Sequence, residues 1–504
     1  MLRFKVFKKY LYGAKFISTF SNVDTIFAVS SGQGKCGVAV IRVSGPHAGT
    51  ALKLLTGVEV LQKPRYAILK NIKNPQNGEV LDKGLVLWFP GPRSFTGEDS
   101  CELQVHGGLA VINAILKALG SVKNLRLAEP GEFTRRAFYN GKLDLTEVEG
   151  IADLLAAETE VQRKQAFLQT EGYLSKIYQE WRSILIKCVA NLEAYIDFEE
   201  TDTLETNITN QVIETIQGLI TVIKQYLNDG RRGECLRNGV QSVILGEPNV
   251  GKSSLLNILC QRPAAIVTPL AGTTRDILEI TLDISGYPLI LADTAGLHSH
   301  TKDIIEKEGI QRALKAYESA DLVFLVIDCL KYLDWYKLNC EKNFIDFIKL
   351  YTQELNINGL VKPNGNSISN IFDKQCVIIA NKIDLIKDTD MHVFKNLNVN
   401  LVSCKFENGM ELLLKEIEDK LKILCGEPSK EHPSMSHARH RQHLTQCLKH
   451  LENTLYLSNN SAGYDLVLMA EEMRKALKQL GKITGTVTTE QLLDVIFKEF
   501  CIGK

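Results

Sequence analysis

The sequence predicts a multidomain protein: an α+β N-terminal domain, a helical bundle domain divided along the chain, and an α/β domain inserted between its two parts. Three observations carry that prediction. The chain has 504 residues, and at about 150 residues per domain this makes roughly three. Apolar, β-branched runs alternate with helical patterns from Gly239 to Cys425, the pattern of a parallel sheet buried on both faces. Long helical periodicity flanks that region on either side.

Composition narrows the class. The chain is 45% hydrophobic and 23% charged, with a formal net charge of +0. This excludes a mainly disordered, collagen-like or heptad-only chain. No apolar run approaches the ~18 residues of a membrane-spanning helix. Balanced charge argues against a bulk electrostatic nucleic-acid binder, yet leaves room for a local basic surface. There are 12 cysteines, but the closest pair, Cys329 and Cys340, is eleven residues apart. Without a CxxC, zinc ribbons and thioredoxin-type dithiols are excluded, and the scatter fits reduced thiols inside a cell.

The elements follow in order. Residues 1–22 carry Arg3, Lys5, Lys8, Lys9 and Lys15, interleaved aromatics and serines, and no acid. That is a transit-peptide composition and points to the mitochondrial matrix; the bland alternative is a frayed basic tail. In the N-terminal domain, 23–146, Thr25–Ser31, Gly37–Val43, Leu85–Phe89 and Cys101–Val105 read as strands, and helical patterns begin near Gly108. The first half of the helical domain is 147–235. There Leu174, Ile177, Trp181, Ile184, Cys188, Leu192 and Tyr195 form one apolar helix face, read as bundle core. In the inserted domain, 236–426, the strands are Val240–Leu245, Leu289–Ala292, Leu322–Ile327, Val377–Ala380 and Val399–Val402. Residues 331–372 read as extra material containing a polar loop, 362–370. The second helical half is 427–504, with Thr488–Gln491 a capping box for the last helix.

Gly246-Glu-Pro-Asn-Val-Gly251-Lys252-Ser253 matches GxxxxGK[ST] after an apolar strand and before a helix. Its backbone amides would curl around phosphates, with Lys252 on the β- and γ-phosphates and Ser253 on Mg²⁺. Asp293-Thr-Ala-Gly296 ends a second strand. Asp293 can hold Mg²⁺ directly or through water, and the Gly296 N–H can sense the γ-phosphate. Asn381-Lys382-Ile-Asp384 ends another. A carboxylate at Asp384 accepts guanine N1–H and the exocyclic amine, donors that adenine lacks, so the motif selects GTP. Ser403-Cys-Lys405 is placed as a further base loop. The inserted domain is therefore read as a Ras-like α/β P-loop GTPase domain. Thr274, in Gly272-Thr-Thr-Arg-Asp276, is the candidate switch ligand of Mg²⁺.

Hydrolysis needs another source. Leu297 follows the Asp-Thr-Ala-Gly motif where Ras-like proteins place a water-orienting Gln. An acid, a cation or a second subunit must act instead. Glu306 and Glu308 are candidate acids, and Asn249 offers an oxygen near the phosphates for a monovalent cation.

Together with Gly37–Gly45, Ser94–Gly108, Pro130–Thr146 and the terminal Cys501-Ile-Gly-Lys504, these motifs resemble the MnmE family of tRNA uridine-modification GTPases, which has mitochondrial members. The resemblance covers residues 23–504. It implies an N-terminal domain that dimerises and binds 5,10-methylene- or 5-formyl-tetrahydrofolate through Arg42, Glu102, Lys142 and Lys504. It implies K⁺ at Asn249, Thr268, Leu270 and Thr273, driving dimerisation of the GTPase domains, and Glu306 as the water-orienting acid with Glu308 the fallback. GTP contacts are then expected at Asn249, Val250, Gly251, Lys252, Ser253, Ser254, Thr268, Thr273, Thr274, Asp293, Thr294, Ala295, Gly296, Asn381, Lys382, Asp384 and Ser403.

Cys501 would be the family's terminal cysteine, required for modification; a buried structural thiol is the alternative. Its spacing from the end mimics prenylation, but Gly503 and Lys504 fit that motif poorly. His437, His440, His443 and His450 are read as surface or core residues without metal, and Arg439-His-Arg441 as one guess for a tRNA contact.

The implied activity is a homodimeric GTPase acting on mitochondrial tRNA with an FAD-dependent partner of the MnmG/GidA type. It would install a carboxymethylaminomethyl-type or taurinomethyl-type group at C5 of wobble uridine 34. The rival reading is a ribosome-assembly or RNA-binding regulatory GTPase; a dimeric scaffold with vestigial turnover is the weakest, since Lys252, Ser253 and Asp293 are intact.

Overall fold

The computed structural model describes residues 24–32, 34–58, 63–198, 207–229, 231–261, 279–292, 316–339, 343–355, 357, 361–362, 372–395, 397–458, 465–487, 490–498 and 500–504. Packing divides the chain into two compact units, 1–152 with 481–504, and 153–480. The last 24 or so residues thus pack with the first unit, whereas the expected grouping kept them with the helical half.

In the first unit, six described strands lie in the order β3-β4-β5-β2-β1-β6. They are β1 (Thr25–Val29), β2 (Cys36–Ser44), β3 (Ile68–Lys73), β4 (Val80–Phe89), β5 (Ser100–Gly107) and β6 (Leu125–Leu127). Ile41, Val43, Val86, Leu103 and Val105 alternate onto one face and are buried with Ala51 and Leu55 of helix Ala48–Thr56 and Ile115 of helix Leu109–Gly120. That is the period-2 pattern of a half-covered sheet. β3 and β6 escaped the sequence reading because Ile68–Lys73 alternates poorly and three residues carry no period. The antiparallel register of β2 and β5 places Arg42 opposite Glu102.

The chain's end closes on this unit. Leu493, Phe497 and Phe500 are buried with Leu145 and Val148. Ile502 bridges to Pro130. Gly503 has φ 104°, and a Cβ there would lie 2.1 Å from the Val29 carbonyl oxygen. The expected capping box falls partly on residues outside those described.

In the second unit, helix Tyr173–Phe198 packs on Asn207–Leu227, which packs on Ala438–Ser458. The buried line along the first is Leu174, Tyr178, Trp181, Leu185, Cys188 and Leu192; Ile177, Ile184 and Tyr195 only flank it. The second sheet has the order β12-β11-β10-β7-β9-β8, with β7 (Val240–Leu245), β8 (Glu279–Ile284), β9 (Tyr287–Ala292), β10 (Leu322–Asp328), β11 (Gln375–Asn381) and β12 (Asn400–Leu401). All its pairings are parallel except the β8–β9 hairpin. β8 was not foreseen.

Residues 331–372 need a correction. Helices Cys329–Leu338 and Phe344–Glu354 are not an appendage. Tyr332, Phe344, Phe347 and Tyr351 are buried against Val243, Leu325 and Ile327 of the sheet, so this stretch supplies one of its covering layers. The polar loop 362–370 lies, but for Lys362, outside the described residues.

Candidate functional sites

The nucleotide site starts from strand order. The chain leaves β7 toward β9 on one side and returns to β10 on the other. Ligands of open α/β sheets sit at such a switch point, at the carboxyl ends of the strands. Gly246–Ser253 follows β7 there. Asn249 and Gly251 adopt positive φ, 63° and 102°, and the turn runs into helix Lys252–Cys260. Alternating handedness makes a nest of backbone N–H groups beside a positive helix end. Lys252 Nζ donates to the Gly246 and Glu247 carbonyls at 2.8 and 2.6 Å. Burial pulls its pKa down from the usual lysine range, opposed by the charge of Glu247. A partly desolvated ammonium held on neutral carbonyls fits a phosphate anion.

Asn381 is 3% exposed. Its Nδ2 donates to the Val250 carbonyl at 2.8 Å, and its Oδ1 accepts from the Cys404 N–H at 3.1 Å. It ties the phosphate loop to the 403–405 loop. A Cβ on Gly251 would lie 2.1 Å from that amide nitrogen, so this glycine is required by close approach. Ser403, fully buried, donates to Asp384 Oδ1 at 2.6 Å and presets the exposed carboxylate. Lys382 pairs with Asp328 at 2.7 Å. Asp328, which no motif signalled, also caps the helix that follows it. Ser253 and Ser254, in the first turn of the helix, are both exposed. Thr268, Leu270, Thr273, Thr274, Asp293, Thr294, Ala295, Gly296, Glu306 and Glu308 lie outside the described residues.

The second constellation lies in the first unit. Arg42 and Glu102 form an ion pair at 2.9 Å with side chains 18% and 19% exposed. The Arg42 guanidinium lies 5.2 Å from the Phe95 ring centre and 5.8 Å from that of Phe133. Burial lowers the Lys504 pKa; Arg42 lowers it further and Glu102 opposes, so three of the four predicted residues share one field. Lys142 donates to the Pro92 carbonyl at 3.2 Å, on the loop that carries Phe95. Two cations beside one carboxylate suit an anionic ligand with an amino-pyrimidine edge.

Cys501 is exposed. Its carbonyl accepts from Gly131 and Lys504 N–H groups at 3.5 and 3.3 Å. That excludes the buried structural alternative. Cys101 shows the contrast, its thiol pushed up to about 12 by burial.

Among the described residues no group of three or more His, Cys, Asp or Glu side chains could hold a metal ion. His440 is buried, while His437, His443 and His450 pair with Asp153, Gln479 and Glu472. Arg441 is spent internally on Asp229, Glu234 and the Leu227 carbonyl, which weighs against its use on tRNA. No helix among the described residues is long and apolar enough to cross a membrane.

A phosphate nest at the switch point and a preset carboxylate two strands away define the class: a P-loop GTPase, carried in a larger chain. Comparison with known proteins goes further. The MnmE helical domain matches residues 145–501, and the GTP-binding protein TrmE N-terminus matches residues 25–142. The mitochondrial 5-taurinomethyluridine-tRNA synthase subunit GTPB3 of Danio rerio is 47% identical over 502 residues, covering 97% of this chain and 95% of that protein. The Homo sapiens protein of the same name is 44% identical, covering 95% and 93%. The tRNA modification GTPase MnmE of Rickettsia typhi is 43% identical, covering 96% and 100%. The chain belongs to the MnmE family of GTPases and is a mitochondrial member.

Proposed function

We propose that this chain is the GTP-hydrolysing subunit of the machinery that modifies C5 of wobble uridine 34 in mitochondrial tRNA. The observation that carries this reading is one chain holding both a P-loop nest and a terminal tetrapeptide that combines an exposed thiol, Cys501, with Lys504, whose ammonium feels the charges of Arg42 and Glu102. A regulatory RNA-binding GTPase needs only the first.

In this reading a tetrahydrofolate one-carbon unit binds at Arg42, Glu102, Lys142 and Lys504. Glu102 would meet the amino-pyrimidine edge of the pterin, and the cations Arg42, Lys142 and Lys504 would complement the negative charge of the ligand. When bound, the folate would supply the one-carbon unit. Ser253 and Thr274 would hold Mg²⁺; Asn249, Thr268, Leu270 and Thr273 would hold K⁺, which would supply the positive charge of an arginine finger, and Glu306 is the acid assigned to orient water. The protein works as a homodimer with an FAD-dependent MnmG/GidA-type partner, and the amine added is glycine or taurine.

The test is mass spectrometry of nucleosides from mitochondrial tRNA with and without the gene, and with Cys501→Ser. Loss of a C5-substituted wobble uridine in both supports the reading and identifies the amine. Unchanged wobble uridine in the knockout moves the chain to the assembly-factor class.

A further inference from the structure

The helices at 329–354 reach the phosphate loop at Glu247 and hold it two ways. The Tyr351 hydroxyl accepts from the Glu247 N–H at 3.0 Å and donates to the Val326 carbonyl at 2.9 Å. Lys331 binds the Glu247 carboxylate, and also Glu354 at 2.7 Å. The Glu247 carbonyl accepts from Lys252, the phosphate lysine itself. Tyr351 is fully buried, stacked on Phe347 at 5.7 Å, with the Lys331 ammonium 5.2 Å from its ring centre. A Cβ on Gly246 would lie 3.4 Å from its hydroxyl.

We propose that Tyr351 and Lys331 are positioning residues for nucleotide binding, and that the segment read from sequence as extra material is a buttress that sets GTP affinity. Two physical effects are at work. Tyr351 satisfies a half-buried loop N–H that otherwise has to turn elsewhere, so it holds the loop in its nest conformation before nucleotide arrives. Lys331 neutralises a carboxylate one residue from the phosphate glycine's turn. Left unpaired, Glu247 repels a polyphosphate and competes for Lys252. Neither residue need touch the γ-phosphate, so both act on GDP and GTP alike and on binding rather than on the chemical step.

This inference rests on the GTP-binding reading of Gly246–Ser253, so the first measurement is GTP and GDP binding by the full-length wild-type chain. If it binds neither, that reading fails, whatever the variants do. Given wild-type binding, Tyr351→Phe is expected to raise Kd for both nucleotides roughly tenfold, raising KM with kcat within about twofold. Lys331→Ala is expected to raise Kd roughly fivefold at low salt and less at high salt. Lys331→Arg should restore affinity, and so should Glu247→Gln placed in the Lys331→Ala background.

Phe344→Leu removes packing from the same helix, against Tyr332, at a residue whose ring contacts leave out Tyr351. It should lower Tm and leave Kd unchanged. If Tyr351→Phe does not fold, the Lys331 and Glu247 variants decide alone. The proposal is overturned by wild-type Kd in Lys331→Ala, by no recovery in the double variant, or by affinity that tracks Tm through Phe344→Leu as well.

Discussion

The two candidate sites of this chain are built in opposite ways. The phosphate site is local: one short stretch, Gly246–Ser253, already contains the positive-φ positions, the lysine and the helix start. Distant residues such as Asn381 only lock it. The Arg42–Glu102–Lys504 site has no local core. Strand register brings Arg42 to Glu102, and Phe497 of the last helix with Phe500 beyond it, both buried, deliver Lys504 from the far end of the chain. A site of the first kind fails through its own residues; one of the second kind fails through whatever aligns its parts.

The largest effect that tests this contrast is expected from Lys252→Ala. Removing the ammonium held at the nest should weaken GTP binding by at least ~100-fold, read by calorimetry. The reactivity of Cys501 toward a thiol reagent should not change. A large change in that reactivity would mean that the two sites are not independent in their construction.

Gly503→Val is the converse and comes next. It touches no predicted ligand, yet φ 104° and the Val29 carbonyl leave no room for a side chain. Strain and overpacking of this kind cost about 2–4 kcal/mol. The tetrapeptide is expected to leave its seat, abolishing tRNA modification and speeding Cys501 labelling, while GTP turnover stays within about twofold. Modification that survives would show that alignment of the chain end is dispensable.

Arg42→Met should have a smaller effect. It leaves Glu102, mostly buried, without its cation, and should lower the stability of the first unit by about 1–3 kcal/mol. Adding Glu102→Gln should recover part of that loss, measured by urea unfolding. No recovery would mean that the register, not the pair, holds this site.

The same contrast decides what could be read from the sequence. Gly246–Ser253, Asn381–Asp384 and the strands under them were legible because each motif is contiguous and each strand is apolar throughout. Leu322–Ile327 are at most 1% exposed. β3, β6 and β8 were not legible, because an edge strand or a three-residue strand leaves little hydrophobic period. Helices 329–354 were misread as extra material, since Tyr351 and Lys331 belong to no motif and their partner Glu247 sits at a variable position of the loop pattern. Arg42, Glu102, Lys142 and Lys504 were named only through family resemblance. Nothing in the residues around Arg42 tells of Glu102 until the register is known.

The smallest expected effect comes from the helical part, which holds neither site and so serves as the reference for both. Glu472 on helix Leu466–Thr484 accepts from Lys475, His450 and Asn453 at 2.8, 2.9 and 3.1 Å. Burial pushes its pKa up, but these hydrogen bonds outweigh burial and bring it from 4.5 down to about 2. A carboxylate depressed by folding stabilises the native state above its unfolded pKa. That contribution fades as pH falls through 4.5 toward about 2, because the unfolded chain takes up the proton first. Screening keeps its size to about 0.5–1 kcal/mol. Urea midpoints of Glu472→Gln and wild type should therefore differ by a constant amount from pH 7 to 5 and converge below, with GTP turnover and Cys501 labelling unchanged at pH 7. A gap that widens in acid would reverse the sign and show that burial, not the three donors, governs this carboxylate.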